Sequence, residues 1–547
     1  MIELEAVTLA HAGQPVLRDV TFAVPEGELV LVVGPTGSGK TSLLRCLDAG
    51  LAQPADRPLA DPPDVALHGR VVVDGIDLHA PGGGRSGQVG FVRQDPARHL
   101  AAGTVESVVA AAVPDRGADP HGGQRRVEET LDLLGLADLR ARPVTELSGG
   151  QQQRVAIAVA VVADPRVLVL DEPTSALDPV AAEEVLAILH RLVHDVGTTV
   201  VIAEHRLERV VHHADAVLLV AAGRVTGPLP PGEAMHRSGL RPPVVELGVR
   251  LGWDPLPLSV RAARRAARPL RDSLAVPGRS VPPASQLAPQ AAGDAATDDP
   301  SGDRVAPLLE ARRLSVVRDR VVALRSVSLR LGGGEVVALM GRNGSGKSTL
   351  LSTVVGSPSP TSGRVTLTGP AALAPQDPRD LLDDDTVAAQ LSAHDTDQRL
   401  PAGAGARLLR RLAPDVGLER RPAELSEGQR MAVALALVFS REAQVVLLDE
   451  PTRGLDYATK ARLVTLVAER AAAGCGVVVA THDVELAAEV ATRCVVLAEG
   501  EVVADGPARQ VLADSPAFAP QAAKVMHPAP LLRVSEVVAA ALGGASR

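Results

Sequence analysis

At 547 residues the chain is too long for one ordinary domain and long enough to bury a core in each of two to four. Its net charge of −9 argues against a general nucleic-acid binder, which needs a basic surface to neutralise phosphates, and an aromatic content of 1% leaves few rings for base stacking. Three scattered cysteines, Cys46, Cys475 and Cys494, offer no spacing for zinc, an iron-sulfur cluster or a disulfide framework and fit a reducing cytoplasm.

Taken in order, the start Met1-Ile2-Glu3-Leu4-Glu5 lacks the basic and apolar regions of a signal peptide. No apolar run approaches the roughly 20 residues that span a bilayer. Leu29-Val30-Leu31-Val32-Val33 is a short continuous apolar run suited to a buried parallel strand. It leads into Gly34-Pro35-Thr36-Gly37-Ser38-Gly39-Lys40-Thr41-Ser42, which fits G-x-x-x-x-G-K-[ST], and Leu43 and Leu44 then open a helix. A loop between a strand and a helix start converges backbone amides on an anionic phosphate, so this context makes the motif a strong one. The Pro/Asp/Ala-rich stretch at 53–64 and the turn at 81–84 read as loop insertions. Gln94 follows, then Leu147-Ser148-Gly149-Gly150-Gln151-Gln152-Gln153-Arg154. A second apolar strand ends in the paired acids Asp171-Glu172, and a third, Thr198 to Ala203, runs out to His205. Phosphate loop, acids and histidine thus lie at strand ends, where open α/β sheets bind ligands.

A tail runs from about 223 to 274 and carries Arg261, Arg264, Arg265, Arg268 and Arg271 at spacings that share one helix face. We read that stripe first as a solvated or domain-packing face. Residues 275–305, rich in Pro, Ala, Gly, Ser and Asp without apolar periodicity, read as a flexible linker.

The design then repeats. Val336-Val337-Ala338-Leu339-Met340 leads into Gly341-Arg342-Asn343-Gly344-Ser345-Gly346-Lys347-Ser348-Thr349, and Gln376, Leu425-Ser426-Glu427-Gly428-Gln429-Arg430, Asp449-Glu450 and His482 follow in the same order. Offsets between matching landmarks are 307 at the lysines, 282 at the glutamines and 277 to 278 thereafter, so most of the length difference lies between phosphate loop and glutamine. Only four lysines occur in the chain, and Lys40 and Lys347 are two of them. A compact ammonium has been kept where a phosphate needs a point charge. The expected fold is α/β, with two P-loop NTPase domains in tandem, at 1–274 with an extension from about 223 and at 306–547 with an extension from about 500.

Ser175-Ala176-Leu177-Asp178 and Arg453-Gly454-Leu455-Asp456 follow the acid pairs as a further matching segment, and with these six ordered motifs found twice, both halves resemble the ATP-binding cassette (ABC) ATPases over nearly their whole length. The resemblance implies a RecA-like core with a helical signature subdomain in each half, and ATP and Mg²⁺ as ligands. Thr41, Ser348, Asp171 and Asp449 are then expected to hold the metal, with Gln94 and Gln376 joining the metal site to a transport partner. Glu172 and Glu450 are expected to polarise the attacking water, and His205 and His482 to contact the terminal phosphate. In that family the signature of one domain closes over nucleotide held by the other. Carried over, Lys40, Glu172 and His205 join Ser426, Gly428 and Gln429, while Lys347, Glu450 and His482 join Ser148, Gly150 and Gln151, within one chain.

Three departures stand out. Glu427 replaces the first glycine of the second signature and is expected to make the Lys40 site bind or close less readily. His11 and Arg318 stand near the position of the usual adenine-stacking aromatic, where either could stack on a purine or simply pack. The first switch region reads Ala203-Glu204-His205-Arg206, against Thr481-His482-Asp483 in the second.

The tails, the segment Val89-Gly90-Phe91-Val92-Arg93-Gln94-Asp95-Pro96 and Ala203-Glu204-His205-Arg206-Leu207-Glu208 resemble energy-coupling factor (ECF) transporter ATPases, which power uptake of vitamins or of cobalt and nickel. That resemblance implies a peripheral protein at the cytoplasmic face of the membrane, with a transmembrane T component and a substrate-binding S component as partners and no nucleic acid. The alternatives are a soluble tandem ABC ATPase acting on ribosomes or nucleic acid, and the tandem ATPase of a sugar importer.

Overall fold

The computed structural model describes residues 1–11, 13–48, 65–80, 88–94, 96, 99–114, 120–175, 177–274, 306–318, 321–383 and 385–544. The chain forms two compact units, Met1–Pro242 and Pro243–Arg547.

In the first unit the apolar run Leu29–Val33 is buried at every position and lies inside a sheet. Its order is Arg224–Leu229, Ala216–Ala221, Leu29–Val33, Thr199–Ala203, Val167–Asp171, Val89–Val92. All pairings there are parallel except that of the outer strand Arg224–Leu229. Strands covered on both faces need apolar side chains on both, which is why these segments do not alternate. A second, antiparallel sheet pairs Ile2–His11 with Gln14–Val24 and Val65–Val73. The helix Lys40–Cys46 contributes Leu43 and Leu44 to a core that includes side chains from both sheets.

The second unit repeats the plan. Its main sheet has the order Ala371–Ala374, Val445–Asp449, Gly476–Ala480, Val336–Met340, Arg493–Ala498, Glu501–Pro507. An antiparallel sheet joins Leu309–Arg318 to Val321–Leu331 and Ser362–Leu367. The fold is therefore the expected α/β, with two P-loop domains in tandem.

The division at 242/243 assigns part of the first tail to the second unit. Arg224–Leu229 and Pro231–Arg237 stay with the first half. By contrast Pro243–Leu251 packs on Val534–Gly544, and Val260–Ala266 packs on Gln521–Met526. The Val244 amide donates to Gln521 Oε1 at 3.2 Å. The physical reason is apolar: Ala263 and Ala267 are fully buried, whereas Arg261, Arg264, Arg265 and Arg268 of the same helical stretch are exposed. The expected linker at 275–305 and the expected insertion sites at 53–64 and 81–84 lie outside the described residues. No helix among the described residues is long and apolar enough to cross a membrane.

Candidate functional site

Each phosphate loop is folded tightly onto its own strand end. A Cβ on Gly34 would lie 2.3 Å from the Val220 carbonyl oxygen, and one on Gly341 the same distance from that of Leu497, so only glycine fits. Gly39 and Gly346, at φ 107 and φ 102, turn the loops into the helices that begin at Lys40 and Lys347. Lys40 Nζ donates to the carbonyls of Gly34 (2.7 Å) and Pro35 (3.1 Å). Lys347 Nζ does the same to Gly341 (2.8 Å) and Arg342 (3.1 Å). The ammonium is thereby held over the loop's concave side.

The donor set beside each loop suits a hard cation. Asp171 and Asp449 are buried, and their carboxyls are hydrogen-bonded by Thr41 and Ser348 respectively. Burial pushes each up to about 6, reinforced by the charge of the neighbouring Glu172 or Glu450. One buried oxygen of Asp449, Oδ1, has no hydrogen-bond partner among the described residues. A hydroxyl, a buried carboxylate, with one unpartnered oxygen in Asp449, and a nearby lysine fit Mg²⁺ carrying phosphate oxygens.

Glu172 and Glu450 follow at once and adopt left-handed backbone conformations, φ 51 and φ 49. Such conformations cost about 1–3 kcal/mol in a non-glycine residue. They are held by the amide of Glu172 donating to Ala203 O (2.9 Å) and that of Glu450 to Ala480 O (2.8 Å). The kink turns each side chain towards the switch histidine. Glu172 Oε1 lies 2.8 Å from His205 Nε2, and its Oε2 accepts from Gln94 Nε2 at 2.9 Å. Burial pushes the Glu172 carboxyl up, but the charge and hydrogen bond of His205, with Lys40, more than offset this and hold it below the ordinary range.

The second half is assembled differently. Glu450 Oε2 lies 2.8 Å from His482 Nδ1 and accepts from Thr481 Oγ1 at 3.3 Å, while Gln376 is exposed and is not brought to it. At the position of Thr481 the first half has Glu204, which is buried and accepts from the Thr174 amide at 2.8 Å. Burial, reinforced by the charge of Glu172, pushes Glu204 up to about 7 against the Thr174 hydrogen bonds.

Both signature serines are helix caps. Ser148 Oγ accepts from the Gln151 amide and Gln151 Oε1 accepts from the Ser148 amide; Ser426 and Gln429 do likewise. These reciprocal bonds open the helices Gly149–Val161 and Glu427–Ser440. His11 and Arg318 occupy equivalent hairpin positions, opposite Gln14 and Val321. Sequence reasoning named Glu204 and Arg453 but missed two things about them: that Glu204 is a buried acid, and that Arg453 pairs with Glu427, its Nε lying 2.5 Å from Glu427 Oε1. The second was signalled by two departures in one half, at the signature and at Arg453, where the first half has Ser175.

The ABC transporter family matches residues 17–175 and 324–453. A protein of Streptomyces coelicolor, provisionally named an ABC transporter ATP-binding protein, is 50% identical over 98% of this chain and 99% of its own. Another so named, from Methanosarcina acetivorans, is 30% identical over 94% of this chain and 85% of its own. Among solved structures, an RNase-L Inhibitor aligns with a TM-score of 0.58 at 20% identity, over 93% of this chain and 92% of that one. A chain of ribosome-bound archaeal Pelota and ABCE1 aligns at 0.62 and 21%, over 92% and 79%. At those identities the two structures speak to the fold alone.

Proposed function

The chain belongs to the ABC transporter family and is an ATPase using Mg²⁺, and on that premise we propose that it is the motor subunit of an ECF-type importer. It drives uptake of a vitamin or transition metal through separate membrane subunits, a T component and an S component, from the cytoplasmic face of the membrane. Each half supplies one hydrolytic constellation. Lys40 or Lys347 neutralises phosphate charge, and Thr41 with Asp171, or Ser348 with Asp449, holds the metal ion. When bound, the ion shields the phosphate oxygens on which charge accumulates. Glu172, kept ionised by His205 and oriented by Gln94, aligns water for addition to the terminal phosphorus as the bond to the ADP oxygen breaks. Glu450 and His482 perform the same task in the second half. Each nucleotide is closed over by the other half's signature, Ser426, Gly428 and Gln429 over the Lys40 site and Ser148, Gly150 and Gln151 over the Lys347 site. His11 and Arg318 border the adenine.

The observation that carries the transporter-type reading is the joint body formed by the two tails, where Pro243–Leu251 and Val260–Ala266 pack on Val534–Gly544 and Gln521–Met526. Through it the end of the first sequence half, 243–274, falls in the same compact unit as the second half, 306–547. Purification from the native membrane in mild detergent tests the proposal. Recovery of small integral membrane proteins with a bound vitamin or metal is the expected outcome; recovery of ribosomes in their place would overturn it.

A further inference from the structure

We propose that Glu427 and Arg453 are a positioning pair that fixes the second signature turn to the loop following Glu450, so that the two move as one piece. Glu427 is the first residue of the helix Glu427–Ser440 and is almost fully buried. Its Oε1 lies 2.5 Å from Arg453 Nε, with side-chain exposures of 10% and 23%. A carboxylate at this helix start would otherwise sit where the signature faces a phosphate. Arg453 holds it against its own domain and balances its charge. Beside the ion pair the two backbones abut, for a Cβ on Gly428 would lie 1.9 Å from Gly454 O, and one on Gly454 would lie 2.7 Å from Gly428 N. Gly454 has φ 69, so glycine is required there on two counts.

Among the described residues the first half shows no such ion pair. At the position of Glu427 stands Gly149, whose added Cβ would meet nothing within 4 Å among the described residues, and at that of Arg453 stands Ser175. Gly150, matching Gly428, faces the side chain of Ala181 at 2.9 Å, where Gly428 faces backbone. Two sequence departures therefore form one device. Losing one member leaves the other's charge unbalanced in a largely buried setting, which is costly. The functional consequence, which rests on the composite-site reading above, is that rearrangement around Glu450 is transmitted to Ser426 and Gly428 and so to nucleotide on Lys40.

The test is a double-mutant cycle on the full chain with Glu427→Gly, Arg453→Ser, the double variant and the exchange Glu427→Arg/Arg453→Glu. Steady-state ATPase is measured in Glu172→Gln and Glu450→Gln backgrounds, which isolate one constellation each, alongside melting temperatures. Each single variant is expected to lower kcat about tenfold with little change in KM, in the range of coupled contacting charges, and the double variant to recover to within about threefold of the parent. Additive losses in the cycle, without recovery in the double or exchanged chain, would overturn the pair. The kcat loss should fall in the Glu450→Gln background, where Glu172 alone works. Loss confined to the Glu172→Gln background, with recovery in the double variant, would support the pair but overturn the composite-site reading.

Discussion

Lys40 and Lys347 are pinned by equivalent pairs of carbonyls, so alanine at either should abolish nucleotide binding in its own half only. Calorimetry should then read one nucleotide per chain in place of two, while transport falls unequally in the two variants. Glu172→Gln and Glu450→Gln should each reduce turnover of their own constellation by about 100-fold or more, the scale of a positioned general base. The losses should differ, because Gln94 orients only Glu172 by a direct hydrogen bond. Glu204 gives a pH signature. Its carboxyl is raised in the folded protein from the ordinary 4.5 to about 7. The folded state therefore binds this proton more tightly than the unfolded state, and the stability it contributes is complete below pH 4.5 and lost as pH rises through about 7. Glutamine keeps the acceptor for Thr174 without the charge. Glu204→Gln should melt a few degrees above the parent at pH 8 and equal it at pH 4, as calorimetric scans at the two pH values would check.

Elements were legible where one physical requirement fixes a residue pattern. The buried strands before Lys40 and Lys347 read directly from continuous apolar runs, whereas the helix starts at the signature serines, each capped reciprocally with a glutamine three residues on, emerged from the structure. Replacing Ser148 or Ser426 with alanine should cost about 1 kcal/mol of stability apiece, measurable by chemical denaturation. What escaped the sequence depends on contacts across the fold. The Glu427 carboxylate suggested only a weakened site, since its partner lies 26 positions further on in a loop whose approach no local pattern dictates. Glu204 stood out in sequence only as part of a departure in the first switch region; its burial came from the fold. The arginine stripe between 261 and 271 announced a helix face, solvated or domain-packing, yet nothing local said which surface would cover Ala263 and Ala267.

On the scale of the molecule, the tandem repeat was legible because the motif order recurs with nearly constant offset. The spatial division was not. Sequence places a boundary after the tail at 274, whereas folding counts that tail with the second unit from Pro243 onward. Covalent order and spatial order therefore cross. If a protease site is engineered between 275 and 305 and cut, the fragment 1–274 should remain gripped by 306–547 through the helices around Val260–Ala266 and Gln521–Met526. Gel filtration of the nicked protein should show both fragments in one peak, and Ala263→Glu should release them. Continuity of the peptide chain would then be a convenience of synthesis, guaranteeing equal numbers of two halves that already possess the means to find each other.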